Sequence, residues 1–300
     1  NQRTEKFGSL PTQSDNIVDA ATCFVQYSPN IVIVGSDISG VYALYLKDPL
    51  NGYEVVNFKP IPNNETADVR NAYVDKYKGL WIMTDKGIAY FNEQQILNKD
   101  FKPTIYCPKS SFTGAIAEIG KELLFGTERE GLIICKHNDT KFEFLKDERL
   151  NRNDVSQLKI VSDSTVVITT GDSHIYNLNI GRRTMIELKY HDTGHNEVKK
   201  LYLDKYNQLW VSTRTPGLTR CNLKNNENKY YQLIPEELSA SVDLERPFFC
   251  EDSNNNLWIG LHGGGLTWYD RINDKFIFYR NRVNTINSVP SNIVHCIAED

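Results

Sequence analysis

The sequence predicts an all-β fold, a β-propeller of four-stranded antiparallel blades, and three observations carry that prediction. First, one short phrase recurs. It reads Leu80-Trp81-Ile82-Met83-Thr84, Leu123-Leu124-Phe125-Gly126-Thr127, Val166-Val167-Ile168-Thr169-Thr170, Leu209-Trp210-Val211-Ser212-Thr213 and Leu257-Trp258-Ile259-Gly260-Leu261, with a weaker copy at Val32-Ile33-Val34-Gly35-Ser36. Second, the middle markers stand at 33, 81, 124, 167, 210 and 258, so the steps are 48, 43, 43, 43 and 48 residues. A period of roughly 40–50 residues made of short strands is the signature of a propeller blade. Third, 16 Tyr and 13 Phe against 2 Met favour pleated, half-buried surfaces over helices.

The sixth copy shows each element in turn. Phe248 to Asp252 is a short strand A, and Ser253-Asn254-Asn255-Asn256 is a turn whose side chains tolerate left-handed backbone. Leu257 to Leu261 is strand B, His262-Gly263-Gly264-Gly265 reverses the chain, and Leu266 to Asp270 is strand C. After Arg271 to Asp274, Lys275 to Tyr279 is strand D, which completes an antiparallel meander. Other copies keep this grammar: Asp75-Lys76-Tyr77 and Asp204-Lys205-Tyr206 each lead into Leu-Trp, with Asp six residues before Trp, as at Asp252. Gly87, Gly131, Gly217 and Gly265 open strand C, where the loop needs unusual dihedrals; the fourth copy has Asp172-Ser173-His174 instead. Trp81, Trp210 and Trp258 are expected as wedges between blades rather than sugar platforms, since burying such a ring removes roughly 150–250 Å² from water. Trp268, on strand C, is left open.

Both ends fall inside the repeat. Lys6-Phe7, Leu10-Pro11 and Asn16-Ile17-Val18 parallel Lys275-Phe276, Val289-Pro290 and Asn292-Ile293-Val294. The reading is a single propeller domain over 1–300 with blades at 17–60, 61–107, 108–150, 151–191, 192–236 and 237–284. Parts of a seventh blade, a strand D in 1–12 and a strand A in 288–300, complete it, and the domain is expected to be truncated at its C-terminus.

Composition narrows the function classes. A formal charge of −4 without long like-charge blocks gives no footprint for nucleic acid. No apolar run approaches the roughly 18 residues of a membrane span. Of the six cysteines, Cys135 and Cys221 share one repeat slot with Leu44, Phe91, Leu178 and Tyr269, as expected of free core thiols, with a bridge as the alternative. No CxxC pair recommends zinc. His191 and His195 stand four apart, but Gly194 argues against the helix a metal pair would need. Neither metal nor cofactor is expected. No Gly-x-Ser-x-Gly elbow or P-loop occurs, so no catalytic residue is assigned; a lyase using His262 and Glu299 is the remote enzymatic option.

In propellers the B–C and D–A loops share one face, and loops carry binding more often than strands do. The candidates on that face are Arg129, Arg152, Asn153, Arg214, Arg246 and His262. Arg129, Arg152 and Arg214 would suit a carboxylated or sulfated sugar, because guanidinium forks fit such anions; ordinary solvated loop charge is the plainer alternative.

The span Asp252 to Asp270, with its Leu-Trp-Ile-Gly, Gly-Gly-Gly-Leu and Tyr-Asp, and the trailing Ser288-Val289-Pro290-Ser291-Asn292-Ile293-Val294 resemble the two-component regulator propeller repeat. The likeness is sharpest at 245–300 and weak at 17–60 and 155–180. It implies the periplasmic sensor region of a hybrid two-component system in an inner-membrane receptor. There a second propeller, an immunoglobulin-like domain and a histidine kinase belong to the same polypeptide. The implied ligand is an oligosaccharide, the implied assembly a homodimer, and this stretch itself is non-enzymatic. The alternative from another class is a propeller scaffold for protein partners, since the fold by itself names no function.

Overall fold

The computed structural model describes residues 20–47, 52–61, 67–106, 110–137, 141–150, 153–191, 197–214, 217–233, 243–282 and 288–299. The chain divides into two compact units, Asn1–Asp154 and Val155–Asp300. In the first unit, one sheet is β1 (Ala21–Ser28), β2 (Ile31–Ser36), β3 (Val41–Leu46) and β4 (Tyr53–Phe58). The second is β5 (Val69–Val74), β6 (Leu80–Thr84), β7 (Gly87–Phe91) and β8 (Thr104–Tyr106), with α1 (Glu93–Leu97) before its last strand. The third is β9 (Phe112–Ile119), β10 (Glu122–Thr127), β11 (Leu132–Lys136) and β12 (Phe142–Phe144).

The second unit repeats the plan. Its sheets are β13 (Val155–Ser162), β14 (Thr165–Thr170), β15 (Ile175–Asn179) and β16 (Thr184–Glu187); β17 (Lys200–Leu203), β18 (Gln208–Ser212), β19 (Gly217–Asn222) and β20 (Asn228–Gln232); and β21 (Asp243–Glu251), β22 (Leu257–His262), β23 (Gly265–Asp270) and β24 (Lys275–Tyr279). Each sheet is an antiparallel meander in chain order, so the fold is a propeller of six complete blades. The recurring phrase is the second strand every time, buried along its length in β6, as a strand covered on both faces must be. Among the described residues, helix α1 is the one element the repeat did not announce. Its signal is a capping box: Asn92 Oδ1 accepts from the Gln95 amide at 3.0 Å, and Gln95 Oε1 accepts from the Asn92 amide at 2.9 Å.

Register confirms the repeat slots. Cys135 pairs with Leu123 and Cys221 with Leu209, as Phe91 pairs with Leu80 and Tyr269 with Leu257. Cys135 and Cys221 are buried, and among the described residues Cys23, Cys135, Cys221, Cys250 and Cys296 are free thiols; Cys107 lies outside them. The strand C glycines behave in two ways. Gly131 (φ 72°) and Gly265 (φ 82°) need the left-handed region, as does Ser173 (φ 72°) in the copy that lacks the glycine. Gly217 has ordinary dihedrals, and space is its constraint: a Cβ there would stand 2.3 Å from the Tyr231 carbonyl oxygen.

The phrase Asp-Lys-Tyr has a physical explanation. The Nε1 of Trp81, Trp210 and Trp258 donates to the carboxylate of the Asp six residues earlier, at 2.8, 3.0 and 2.9 Å. The stretch of chain that follows then sends back a glutamate. Glu118 accepts from the Lys76 amide at 3.1 Å, Glu251 from the Lys205 amide at 2.9 Å, and Glu299 from the Ser253 amide at 2.7 Å. In two of the three copies a basic side chain lies between the two carboxylates. His137 Nε2 is 2.8 Å from Glu118 and its Nδ1 is 3.6 Å from Asp75; Arg271 donates to Asp204 at 2.8 Å and to Glu251 at 2.7 Å. The tyrosine of the phrase covers that basic side chain, Tyr77 edge-on to His137 at 4.7 Å and Tyr206 under Arg271 at 4.4 Å. His137 and Arg271 thus hold one station in two copies, two residues past the slot of Cys135 and Tyr269.

The predicted strand D in 1–12 lies outside the described residues. The predicted terminal strand A is not a ladder; it makes a single bridge, Ile293 to His262. Even so, Val294 stands over Gly260 as Val69 stands over Gly35, and Glu299 repeats the bond of Glu118 and Glu251.

Candidate functional site

In the first unit, sheet register brings the B–C loop of each sheet to the segment that leads into its first strand. Asp85 Oδ1 accepts from the Asp68 amide at 2.8 Å, Asp37 Oδ1 from the Ala20 amide at 3.0 Å, and the Glu128 amide donates to the Ser111 carbonyl at 3.0 Å. Asp37 and Asp85 therefore close loops rather than wait for a ligand.

In the first unit, Ser110 and Ser111 from one loop and Glu128, Arg129 and Glu130 from the other line a cavity of about 320 Å³. Arg129 is exposed on its wall, but Glu128 and Glu130 flank it, and Glu128 also faces Arg70 at 3.6 Å. That wall is acidic on balance, which weakens the case for an anionic sugar there. Asn153 donates through Nδ2 to the Arg149 carbonyl at 3.1 Å, so it holds a turn. Arg152 lies outside the described residues.

In the second unit Arg214 is exposed and lies 3.7 Å from Glu197, which also accepts from Lys199 at 2.7 Å. The Lys199 hydrogen bond, with the charges of Lys199 and Arg214, holds the Glu197 carboxyl below its usual range against a weaker opposing effect of burial. His262 ends β22, and its ring meets His295 at 5.7 Å. Glu299 bonds to Ser253 at the other end of that strand, so the two residues of the imagined lyase do not meet. Arg246 falls within β21, but its side chain is outside the described set, as is His195. His191 stacks on Tyr230 at 4.1 Å. Trp81 and Trp210 are not sugar platforms: they are buried against Phe125 (5.5 Å) and Tyr269 (4.8 Å) of the following sheets. Trp268 lies over Trp258 at 6.2 Å.

The cavity that loop reasoning missed lies in the second unit on first strands. It measures about 590 Å³ and is lined by Lys159, Lys199, Lys200, Tyr202, Phe248 and Phe249 among others. The signal was present: Lys159 and Lys200 interrupt strands whose counterparts read Phe248-Phe249-Cys250.

No protein-family model and no curated protein matches the chain by sequence. Solved structures do match. The extracellular domain of a B. thetaiotaomicron protein described as a hybrid two component system, BT4673, aligns with 96% of this chain at a TM-score of 0.62 and 17% identity. The corresponding domain of BT3049 from the same organism aligns with 91% at 0.58 and 14%. This chain has their fold. It spans 36% of the length of each of those domains. The propeller is also matched by YCF48 bound to D1 peptide, over 82% of this chain and 76% of that one, at a TM-score of 0.56 and 12% identity. Among the described residues no helix is long and apolar enough to cross a membrane.

Proposed function

We propose that this chain is a non-enzymatic ligand-sensing propeller of a hybrid two-component regulator, working outside the cytoplasm as part of an inner-membrane receptor. In this reading it recognises an oligosaccharide and passes the signal to a histidine kinase elsewhere in the polypeptide. The observation that supports it best is the alignment of 96% of the chain with just over a third of a two-component extracellular domain. A second propeller and an immunoglobulin-like domain then belong to the remainder, and the receptor works as a homodimer. A ligand drives such a receptor only through its difference in affinity for two arrangements of the dimer. Arg129, Arg152, Asn153, Arg214, Arg246 and His262 remain the loop-face contacts proposed for it; in the second unit Arg214 is exposed and lies 3.7 Å from Glu197.

The test has two parts. The gene sequence following Asp300 should encode further propeller repeats, an immunoglobulin-like domain and a membrane helix. The intact extracytoplasmic region should then bind a member of a glycan array. An open reading frame that closes one blade later, or capture of a protein partner with no glycan binding, would favour the scaffold reading instead.

A further inference from the structure

The 590 Å³ cavity of the second unit has the size of a small-molecule site, about 300–1,000 Å³. Its wall comes from the first strands of three successive sheets. Lys159 pairs with Val167 as Tyr202 pairs with Trp210, and Lys200 pairs with Ser212 as Phe248 pairs with Gly260. Cations and rings therefore alternate at equivalent stations. The backbone between them is fixed by one side chain: Gln157 donates to the Lys199 carbonyl at 3.3 Å and accepts from the Leu201 amide at 3.1 Å.

The charges do not balance inside it. Lys199 is engaged by Glu197 at 2.7 Å, whereas Lys159 and Lys200 have no ion pair among the described residues. Glu251, which ends β21, is already taken by Arg271, the Lys205 amide and the Tyr202 hydroxyl. Two like charges on one partly enclosed wall repel, and an anion between them relieves that repulsion. Beside the amines, Tyr202 and Phe249 stack at 4.8 Å with an interplanar angle of 5°, and Phe248 is 39% exposed. An anionic group beside an apolar ring matches a ligand that joins a carboxylate or sulfate to the C–H face of a pyranose.

We propose that this cavity binds an acidic saccharide, its anionic group held by Lys159 and Lys200 and its ring laid against Phe248. The proposal rests on the oligosaccharide reading above and names its chemical class and its seat. The test is calorimetric titration of the intact extracytoplasmic protein with tetragalacturonate, a sulfated carrageenan tetrasaccharide, neutral maltotetraose and inorganic sulfate. Binding of either acidic sugar, at least tenfold weaker in the K159Q/K200Q double variant and in F248S but unchanged in K146Q, an exposed lysine of the first unit, is the expected result. The melting curve of K159Q/K200Q should match the parent, because the lysines lie at the surface of the cavity. Equal binding of acidic sugar by parent and double variant would overturn the cavity and leave the sensing reading intact. Sulfate alone binding, with no sugar, would overturn the saccharide assignment. Failure of every glycan in the array as well would overturn both readings.

Discussion

Trp210 is fully buried, its indole nitrogen held by Asp204 and its ring edge-on to Tyr269 of the next sheet. Truncating it to Ala should cost about 3–5 kcal/mol, since both the ring's burial and its cavity are lost; urea denaturation measures this. Cys221 makes a chemical prediction of its own. Burial pushes its thiol up to about 12, so little thiolate forms near neutral pH. In the native protein a thiol reagent such as DTNB should label exposed Cys296 promptly, and Cys135 and Cys221 only after unfolding. Prompt labelling of Cys221 would show that the fifth sheet opens far more easily than its packing implies. The cysteine slots were legible from the repeat, because a residue standing where others are Leu, Phe or Tyr must be apolar in role. The loop arginines were less legible, since sequence places a charge on a face but does not name its partner, as Glu197 shows for Arg214.

At the scale of an element, the junction between the fifth and sixth sheets depends on a guanidinium set between two carboxylates. Asp204 and Glu251 are almost wholly buried, and Arg271 joins them. Arg271→Ala leaves that pair uncompensated and should cost about 3–5 kcal/mol, whereas R271H should be milder, because His137 occupies the same station in the first unit. A change within about 0.5 kcal/mol in chemical denaturation would mean that water solvates the pair. The strands themselves, their order and the Asp–Trp spacing were visible in the period. The glutamate and cation were not read as parts of one device, because they lie 40 or more residues from the aspartate they serve. Helix α1 escaped for a different reason: it is an insertion, and a repeat pattern is silent about insertions.

For the molecule as a whole, acid is the informative stress. Asp147, Glu197, Asp252, Asp270 and Asp274 all have carboxyls held below their usual range. At Asp274 burial pushes the carboxyl up, but hydrogen bonds from Lys229, Tyr231 and Tyr269 and the charge of Arg220 outweigh it. A carboxylate with a depressed folded value stabilises above its unfolded pKa of about 3.9, and that contribution fades as pH falls through the folded value. Melting temperature should therefore drop below about pH 4. D274N should melt below the parent at pH 7 and converge with it in strong acid; parallel curves at all pH values would contradict the assignment. The glutamate bonds carry one more consequence, and it concerns order in time. Each of these three Asp–Trp boxes is finished by a glutamate from the stretch of chain that comes after it, not from the one before. A chain emerging from its N-terminus therefore carries an unfinished box at its growing end until the next sheet arrives. Ending the chain before Glu299 should lower the unfolding midpoint of the sixth sheet, whereas deleting the first sheet leaves all three glutamate bonds in place.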